Sequence, residues 1–439
     1  MQPEPNNLTS AEQSLPGSAA PGSPASQPPE GALPPPVPDS APPPTSAQVR
    51  KPSLTRQLLA LLLSLGLGLF LADAFVSLLD DSLILFFNAH GLAAFRGTLF
   101  LLAILSSLLI YALMELTPMI PKRVFLPVTL FNPLAGLLLL PVMIYWHSRL
   151  EQAAWLLSLC QVTLGLVILW RLQGTLRLHW PLFREDHLAP RAFSWLNLSG
   201  FLLMNLFVLV PAVVAYCFLC ASLAVGHFSE GFVALRASGL TVEARKYVRN
   251  DGKTIQLVPM AHIGQRDFYR ELSQSFPSNS IILMEGVSDT KNLLTNKITY
   301  RRMANSLGLA EQQREFRPPP NEAVPADIDV DQFEPGTIDF LNLVMLIHSK
   351  GLTPENLIKL MQYSPPPNFE QQLWEDLLKK RNRNLLNQID DHLDESANLI
   401  VPWGAAHMPG IADGIQKAGF RLVEQKQYQV IGFGARRAR

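Results

Sequence analysis

Two histidines and a glutamate stand where short apolar runs stop. Lys253-Thr-Ile-Gln-Leu-Val-Pro-Met-Ala-His262-Ile-Gly is followed, after a helical segment, by Ile281-Ile-Leu-Met-Glu285-Gly. Asn398-Leu-Ile-Val-Pro-Trp-Gly404-Ala-Ala-His407-Met-Pro-Gly410 then repeats the pattern, with Val401-Pro402 before His407 echoing Val258-Pro259 before His262. Two imidazoles and a carboxylate brought to one place form a donor set suited to a divalent transition metal. A lone histidine is more often structural, held by a backbone carbonyl. Two of them after similar strands, each with a glycine close by, are less easily read that way. His348 and His392 lack the strand-end context and are expected to have no ligand role.

Such residues need strands to deliver them. Short continuous apolar runs are how strands of a parallel sheet read, and the helical segment between two of them is the crossover they require. Open α/β sheets bind ligands in the crevice beyond the carboxyl ends of their strands, where His262, Glu285 and His407 all fall. Leu240–Arg249 and Lys253–Val258 flank Asn250-Asp-Gly252 and predict a β-hairpin. Helices are expected over Asp267–Phe276, ended by Pro277, and over Asn292–Ala310. A third is expected over Ile338–Lys350, capped by Thr337, and a fourth after Thr353-Pro354. A long helix from about Phe369 to Asp394 carries Leu373, Leu377, Leu385, Ile389 and Leu393 at helical spacing, with Arg381 and Asn382 on it. Ala326-Asp327-Ile-Asp329 reads as a short strand or turn rich in carboxylates. Phe420–Val423 and Tyr428–Phe433 are expected to close the domain as a hairpin.

The rest of the chain reads as an anchor. Residues 1–52 are dominated by Pro, Ala, Ser and Gly and cannot bury enough apolar surface to offset their ordering entropy, so a disordered tail is expected. Over residues 53–227, apolar stretches at Leu58–Leu79, Thr98–Leu116, Val124–Trp146, Ala153–Trp170 and Leu196–Val225 reach or approach the roughly 20 residues that span a bilayer. About five transmembrane helices are therefore expected, with Trp146, Trp170 and Trp195 as interfacial anchors. The first run comes too late and is too long for a cleavable signal peptide. With the N-terminus in the cytoplasm, the inner segments hold Arg50, Lys51, Arg56, Lys122, Arg123, Arg171, Arg177, Arg184 and Arg191, and the outer ones only Arg96 and Arg149. An odd number of spans then puts the domain of residues 228–439 outside the cytoplasm. Asp73, Glu115 and Asn205 fall inside spans and raise the question of transport. Asp73 has no evident intramembrane cation, and helix–helix bonding is the more ordinary role.

Charge and cysteine usage exclude some classes. The chain has 36 basic and 36 acidic residues, so it carries no basic footprint for nucleic acid, and Arg436-Arg437-Ala-Arg439 reads as a solvated tail. The three cysteines, Cys160, Cys217 and Cys220, all lie in apolar segments, leaving the soluble domain without a disulfide or a zinc ribbon.

From Lys253 to Phe433 the chain resembles the TraB/PrgY/GumN superfamily, which includes the Tiki-type membrane-tethered proteases. That family is marked by two Gly-x-x-His motifs, an acidic residue ending the strand after the first, and an Arg-Asn pair on a helix before the second. Gly404-Ala-Ala-His407 matches the second motif, Glu285 the acidic position and Arg381-Asn382 the pair. Ala326-Asp327-Ile-Asp329 is similar to the family's Ala-Asp-x-Asp segment. His262 matches the first histidine, with Pro259 where the glycine is expected, a change that removes a donor and fixes φ.

The resemblance implies a mixed-sheet α/β domain of TraB/Tiki-like type behind the helical anchor. It implies a divalent metal (Mn, Co or Zn) on His262, His407 and Glu285, with peptide hydrolysis as the reaction. Glu285 is expected as third ligand or as general base. Arg381 and Asn382 are expected to orient a ligand or to stabilise an oxyanion. The expected partners are the lipid bilayer and a peptide or protein substrate, with no nucleic acid. The alternative is a non-catalytic regulatory protein that captures a peptide in the same crevice, and a transport or assembly role for the spans is a third reading.

Overall fold

The computed structural model describes residues 53–295, 300–318, 323–351, 353–366 and 368–434. The expected tail of residues 1–52 and the basic C-terminus of residues 436–439 lie outside the described residues. From Ser53 onward the chain forms one compact unit.

Its first half is helical: α1 (Leu54–Phe87), α2 (Ala93–Leu116), α3 (Lys122–Tyr145), α4 (Leu150–Gln173), α5 (Trp195–Met204) and α6 (Val210–Phe228). Helices α5 and α6 form one rod through a π-helical turn, Asn205–Leu209, just ahead of Pro211. Proline has no N–H to give the preceding turn, so the backbone adjusts there. Among the described residues, five rods are long and apolar enough to cross a membrane: Leu54–Phe87, Ala93–Leu116, Lys122–Tyr145, His147–Gln173 and Trp195–Phe228. The protein has the make-up of a membrane protein, and the exposed leucines of these rods suit contact with lipid. Leu63, Leu67, Phe70, Ile110, Met114, Phe125 and Leu169 fill the space between α1, α2, α3 and α4. Gly66 and Gly165 let the rods approach, since a Cβ there would lie 2.3 Å from Ile110 Cδ1 and 2.5 Å from Leu71 Cδ2.

The second half comprises β1 (Val233–Arg236), β2 (Gly239–Val248), β3 (Thr254–Met260), β4 (Ile263–Gly264), α7 (Arg266–Gln274) and β5 (Ile281–Met284). Then come α8 (Arg301–Leu307), β6 (Ala310–Glu311), α9 (Gln312–Glu315), β7 (Ala323–Pro325), α10 (Pro335–Lys350) and α11 (Pro354–Gln362). Helix α12 (Phe369–Trp374) runs through a π-helical turn, Glu375–Lys380, into α13 (Arg381–Leu393), and β8 (Asn398–Gly404), α14 (Met408–Lys417) and β9 (Arg421–Gly432) close the chain. Among the described residues, seven strands form one mixed sheet in the order β1-β2-β3-β8-β5-β7, with β9 on the other edge of β2. Strands β3, β8, β5 and β7 run parallel, and β2 is antiparallel to β3 and β9. One face buries Leu257, Val401, Trp403, Ile411 and Ile415 against α13 and α14; the other buries Val258, Ile282, Ile400, Phe268 and Leu272 against α7.

Several sequence expectations change. The closing hairpin is a single strand, β9, because Glu424-Gln-Lys-Gln427 offers no turn residue and the run pairs along all of β2. The helix expected over Asn292–Ala310 is confined to Arg301–Leu307, while Asp289 accepts the backbone N–H groups of Leu293 and Leu294 in a loop; residues 296–299 lie outside the described set. Thr337 lies inside α10, which starts at Pro335, and its hydroxyl donates to Asp376. Thr353 does cap α11, accepting from the backbone N–H of Asn356. Pro259 is accommodated because β2 pairs only as far as Leu257, so its lost donor falls where β3 has a single neighbour.

Candidate functional site

The carboxyl ends of β3, β8, β5 and β7 open on one rim. Met260 faces Gly404 across β3 and β8, Ile282 faces Ile400 across β5 and β8, and Met284 faces Pro325 across β5 and β7. Glu285 follows β5 directly, Asp327 is two residues past β7, and His407 is three residues past β8. Over this rim lies α13, anchored in the core by Leu385, Ile389 and Leu393, and its first turn supplies Arg381 and Asn382. A turn from Gly404 to His407, closed by His407 N–H on the Gly404 carbonyl at 2.9 Å, leads into α14 and folds His407 back over the sheet.

Arg381 ties the site together. Its Nε donates to Asp327 Oδ1 at 3.0 Å, its Nη2 donates to Asp327 Oδ2 at 2.6 Å and to Glu285 Oε1 at 2.8 Å, and its Nη1 donates to His407 Nε2 at 3.1 Å. The Asp327 side chain is 1% exposed and that of Arg381 13%. Burial opposes the guanidinium charge, and the bonds and charge of Asp327, then those of Glu285, outweigh it, so the Arg381 pKa is raised. Glu285 Oε2 accepts the Gly404 N–H at 2.5 Å. A Cβ on Gly404 would lie 3.3 Å from that oxygen, so the second Gly-x-x-His glycine is where the carboxylate approaches the backbone. Asp327 Oδ2 also accepts the Gly286 N–H at 3.0 Å.

His407 is held as a neutral imidazole of one tautomer. Its Nδ1–H donates to Asn382 Oδ1 at 2.7 Å, and the Asn382 amide nitrogen returns a bond to the His407 carbonyl at 3.5 Å. Nε2 therefore carries the lone pair, facing Arg381 and lying 3.6 Å from Glu285 Oε1. Burial, then the Arg381 charge, pulls its pKa down to about 4. A ring nitrogen fixed through a hydrogen bond on the opposite nitrogen is the usual arrangement of a metal-ligating histidine.

His262 sits apart from this network. The chain leaves β3 directly into β4, which pairs with β6, and the His262 carbonyl accepts the Gln312 N–H at 2.9 Å. The exposed imidazole stacks on Tyr300, with centroids 4.8 Å apart and planes 7° from parallel, and Tyr300 also meets His348 at 5.6 Å. Burial and then the Glu285 charge raise the Tyr300 pKa. His392, expected to be structural, meets the Gln388 carbonyl at 2.8 Å.

The structure thus brings together Glu285, Arg381, Asn382 and His407, and adds Asp327. Asp327 is named in the sequence only within Ala326-Asp327-Ile-Asp329 and without a role at the site, and Tyr300 is not named there. Asp327 carried the same signal as the others, an acidic residue just after an apolar run, but its strand is only three residues long. As a metal site, the donors fit in part. His407 Nε2 and Glu285 Oε1 converge with suitable chemistry. Among the described residues, however, no three His, Cys, Asp or Glu side chains gather closely enough to hold an ion. Arg381 covers the lone pairs of both converging donors. The cleft beside α12, about 760 Å³, is lined by Glu334, Trp374 and Lys379 and contains none of these residues.

No family model, curated protein or solved structure matches the chain.

Proposed function

We propose that the chain is a membrane-anchored member of the TraB/PrgY/GumN superfamily whose α/β domain is a metal-dependent hydrolase of peptide bonds. The observation that carries this reading is His407, fixed by Asn382 as a neutral imidazole with Nε2 turned toward Glu285 at the strand-end rim. His407 and Glu285 would hold a divalent ion of the Mn, Co or Zn kind, and His262 would join them from the neighbouring strand end by leaving its stack on Tyr300. Such an ion supplies a polarised carbonyl and a bound water deprotonated near neutral pH. Asn382 keeps His407 unprotonated at Nε2, and Gly404 N–H fixes the direction in which Glu285 presents its carboxylate. The excess of Lys and Arg in the segments expected inside supports a cytoplasmic N-terminus and a domain on the far side of the membrane.

A second reading is favoured by Arg381. Its guanidinium already satisfies Glu285, Asp327 and His407, and a site with its polar groups so paired suits reversible capture of a peptide without chemistry. Metal content separates the two. The full-length protein is purified beside His407→Ala and His262→Ala and incubated with Mn, Co or Zn. Near-stoichiometric metal in the wild type, lost in both variants, is the expected result. Folded wild type without bound metal sinks the hydrolase and leaves peptide capture.

A further inference from the structure

Helix α1 carries more buried polarity than an anchor requires. Ser64, Asp73, Ser77, Asp80 and Asp81 are all buried on it. Asp73 is 1% exposed, near the middle of the rod, between α3 and α4. Its Oδ2 accepts from Asn132 Nδ2 of α3 at 3.2 Å and from Gln161 Nε2 of α4 at 2.9 Å. Its Oδ1 is buried with no hydrogen-bond partner, so among the described residues two neutral amides are all that compensates this carboxyl group.

The contrast with Asp81 is instructive. At the far end of α1, Asp81 accepts from Arg96 Nη1 at 2.5 Å and from Ser158 Oγ at 2.6 Å, and Asp80 accepts from the same Arg96 nitrogen at 3.1 Å. That station has a cation of its own. Asp73, about 10 Å deeper by the helical rise, has none. Bonding between helices does not explain an acid there, because asparagine at position 73 would bond the same two amides without a charge to desolvate. A carboxylate in such surroundings is expensive unless a counter-charge reaches it. Each amide that donates to Asp73 also bears a carbonyl oxygen, so the three side chains supply hard oxygen donors with one formal negative charge. A monovalent metal ion balances that charge, whereas a divalent one would leave an excess positive charge in a low-dielectric interior. The polar side chains leading to the spot, Ser77, Asp80 and Asp81, come from one end of α1; toward the other end lie Phe70, Leu67 and Leu63, with the Ser64 hydroxyl there already bonded to the Ala60 and Phe183 carbonyls.

We propose that Asp73, Asn132 and Gln161 form an intramembrane binding site for a monovalent metal cation, reached from the Asp80–Asp81 end of the bundle. Thermal unfolding of the full-length protein in detergent, at fixed pH and ionic strength in NaCl, KCl or choline chloride, tests it. A ligand that binds the folded state raises the midpoint as its concentration rises. The midpoint is expected to climb with Na⁺ or K⁺ against choline, and the response is expected to vanish in Asp73→Asn, which keeps the shape. In Gln161→Met the half-saturating concentration should rise ~10-fold, a milder change that keeps the test intact if Asp73→Asn fails to fold. Glu285→Gln, at the strand-end site, should retain the full response. Equal midpoints in all three salts, a response that survives in Asp73→Asn, or one that follows pH and ignores the metal ion would each overturn the assignment.

Discussion

Replacing Arg381 by methionine keeps the aliphatic stem and removes the guanidinium that bonds Asp327, Glu285 and His407. Two carboxylates then face each other across a site where their side chains are 1% and 16% exposed. Removing one partner of a buried ion pair costs about 3–5 kcal/mol. Some of that is recovered, because Glu285 keeps the Gly404 N–H and Asp327 keeps those of Gly286 and Ile328. The expected loss is therefore near the lower end, about 3 kcal/mol, or roughly a hundredfold in the equilibrium for local opening. Hydrogen exchange of the β5 and β8 amides, read by mass spectrometry on the full-length protein, measures this opening without mixing in the helical bundle. Arg381→Lys, which keeps the charge but loses the fork that grips Asp327 at two points, should fall between the wild type and Arg381→Met. Exchange accelerated by less than about fivefold in Arg381→Met, under ~1 kcal/mol, would refute the idea that one guanidinium holds the rim together.

Two further outcomes follow from the same geometry and from the bundle. His407 has a folded-state pKa of about 4 against an ordinary 6.5, so between those values the unfolded chain binds a proton that the folded chain refuses. Stability contributed here is complete above pH 6.5 and is lost as the pH falls toward 4, by up to about 3 kcal/mol. Exchange at β8 should therefore quicken from pH 7 to pH 5 after correction for the intrinsic rate, and His407→Gln should flatten the slope; a flat wild-type profile would count against a neutral His407. In the bundle, Gly165→Ile forces a side chain against Leu71 and Phe70 and should cost about 1–3 kcal/mol. Thermal unfolding in detergent checks it against Gly136→Ile, where a Cβ meets nothing within 4 Å and little change is expected.

Much of the site was legible because strands announce their ends. Apolar runs that stop at Glu285 and before His407 lie in β5 and β8, and the helical spacing of Leu385, Ile389 and Leu393 turns Arg381 and Asn382 toward the same rim. Periodicity does not say where the chain goes after a strand stops. His262 and His407 follow similar runs, yet one chain leaves into β4 and turns its ring to Tyr300, while the other turns through Gly404 into α14 and folds its ring inward. Asp327 follows a strand of three residues, too short to show a period. The number of long apolar rods was legible from length and composition. What lies inside them was not: Asp73 reads as a lone acid until Asn132 and Gln161, 59 and 88 residues away, are brought to it by packing.

The two buried carboxylate networks answer one electrostatic problem in different ways, and the difference orders their response to cations. At the strand-end rim Glu285 and Asp327 share an internal cation, so a divalent ion must displace the Arg381 guanidinium from His407 and Glu285 before it gains either ligand. At Asp73 no side-chain cation among the described residues has to leave, and one carboxylate oxygen is already without a hydrogen-bond partner. Sodium or potassium should therefore stabilise the wild-type bundle directly. Mn²⁺ should stabilise the wild-type α/β domain weakly and the Arg381→Met domain more strongly, since the substitution removes the competitor while leaving both ligands. If Mn²⁺ slows exchange at β5 and β8 equally in the two proteins, Arg381 does not guard the lone pairs of Glu285 and His407, and guanidinium and metal ion do not compete for them.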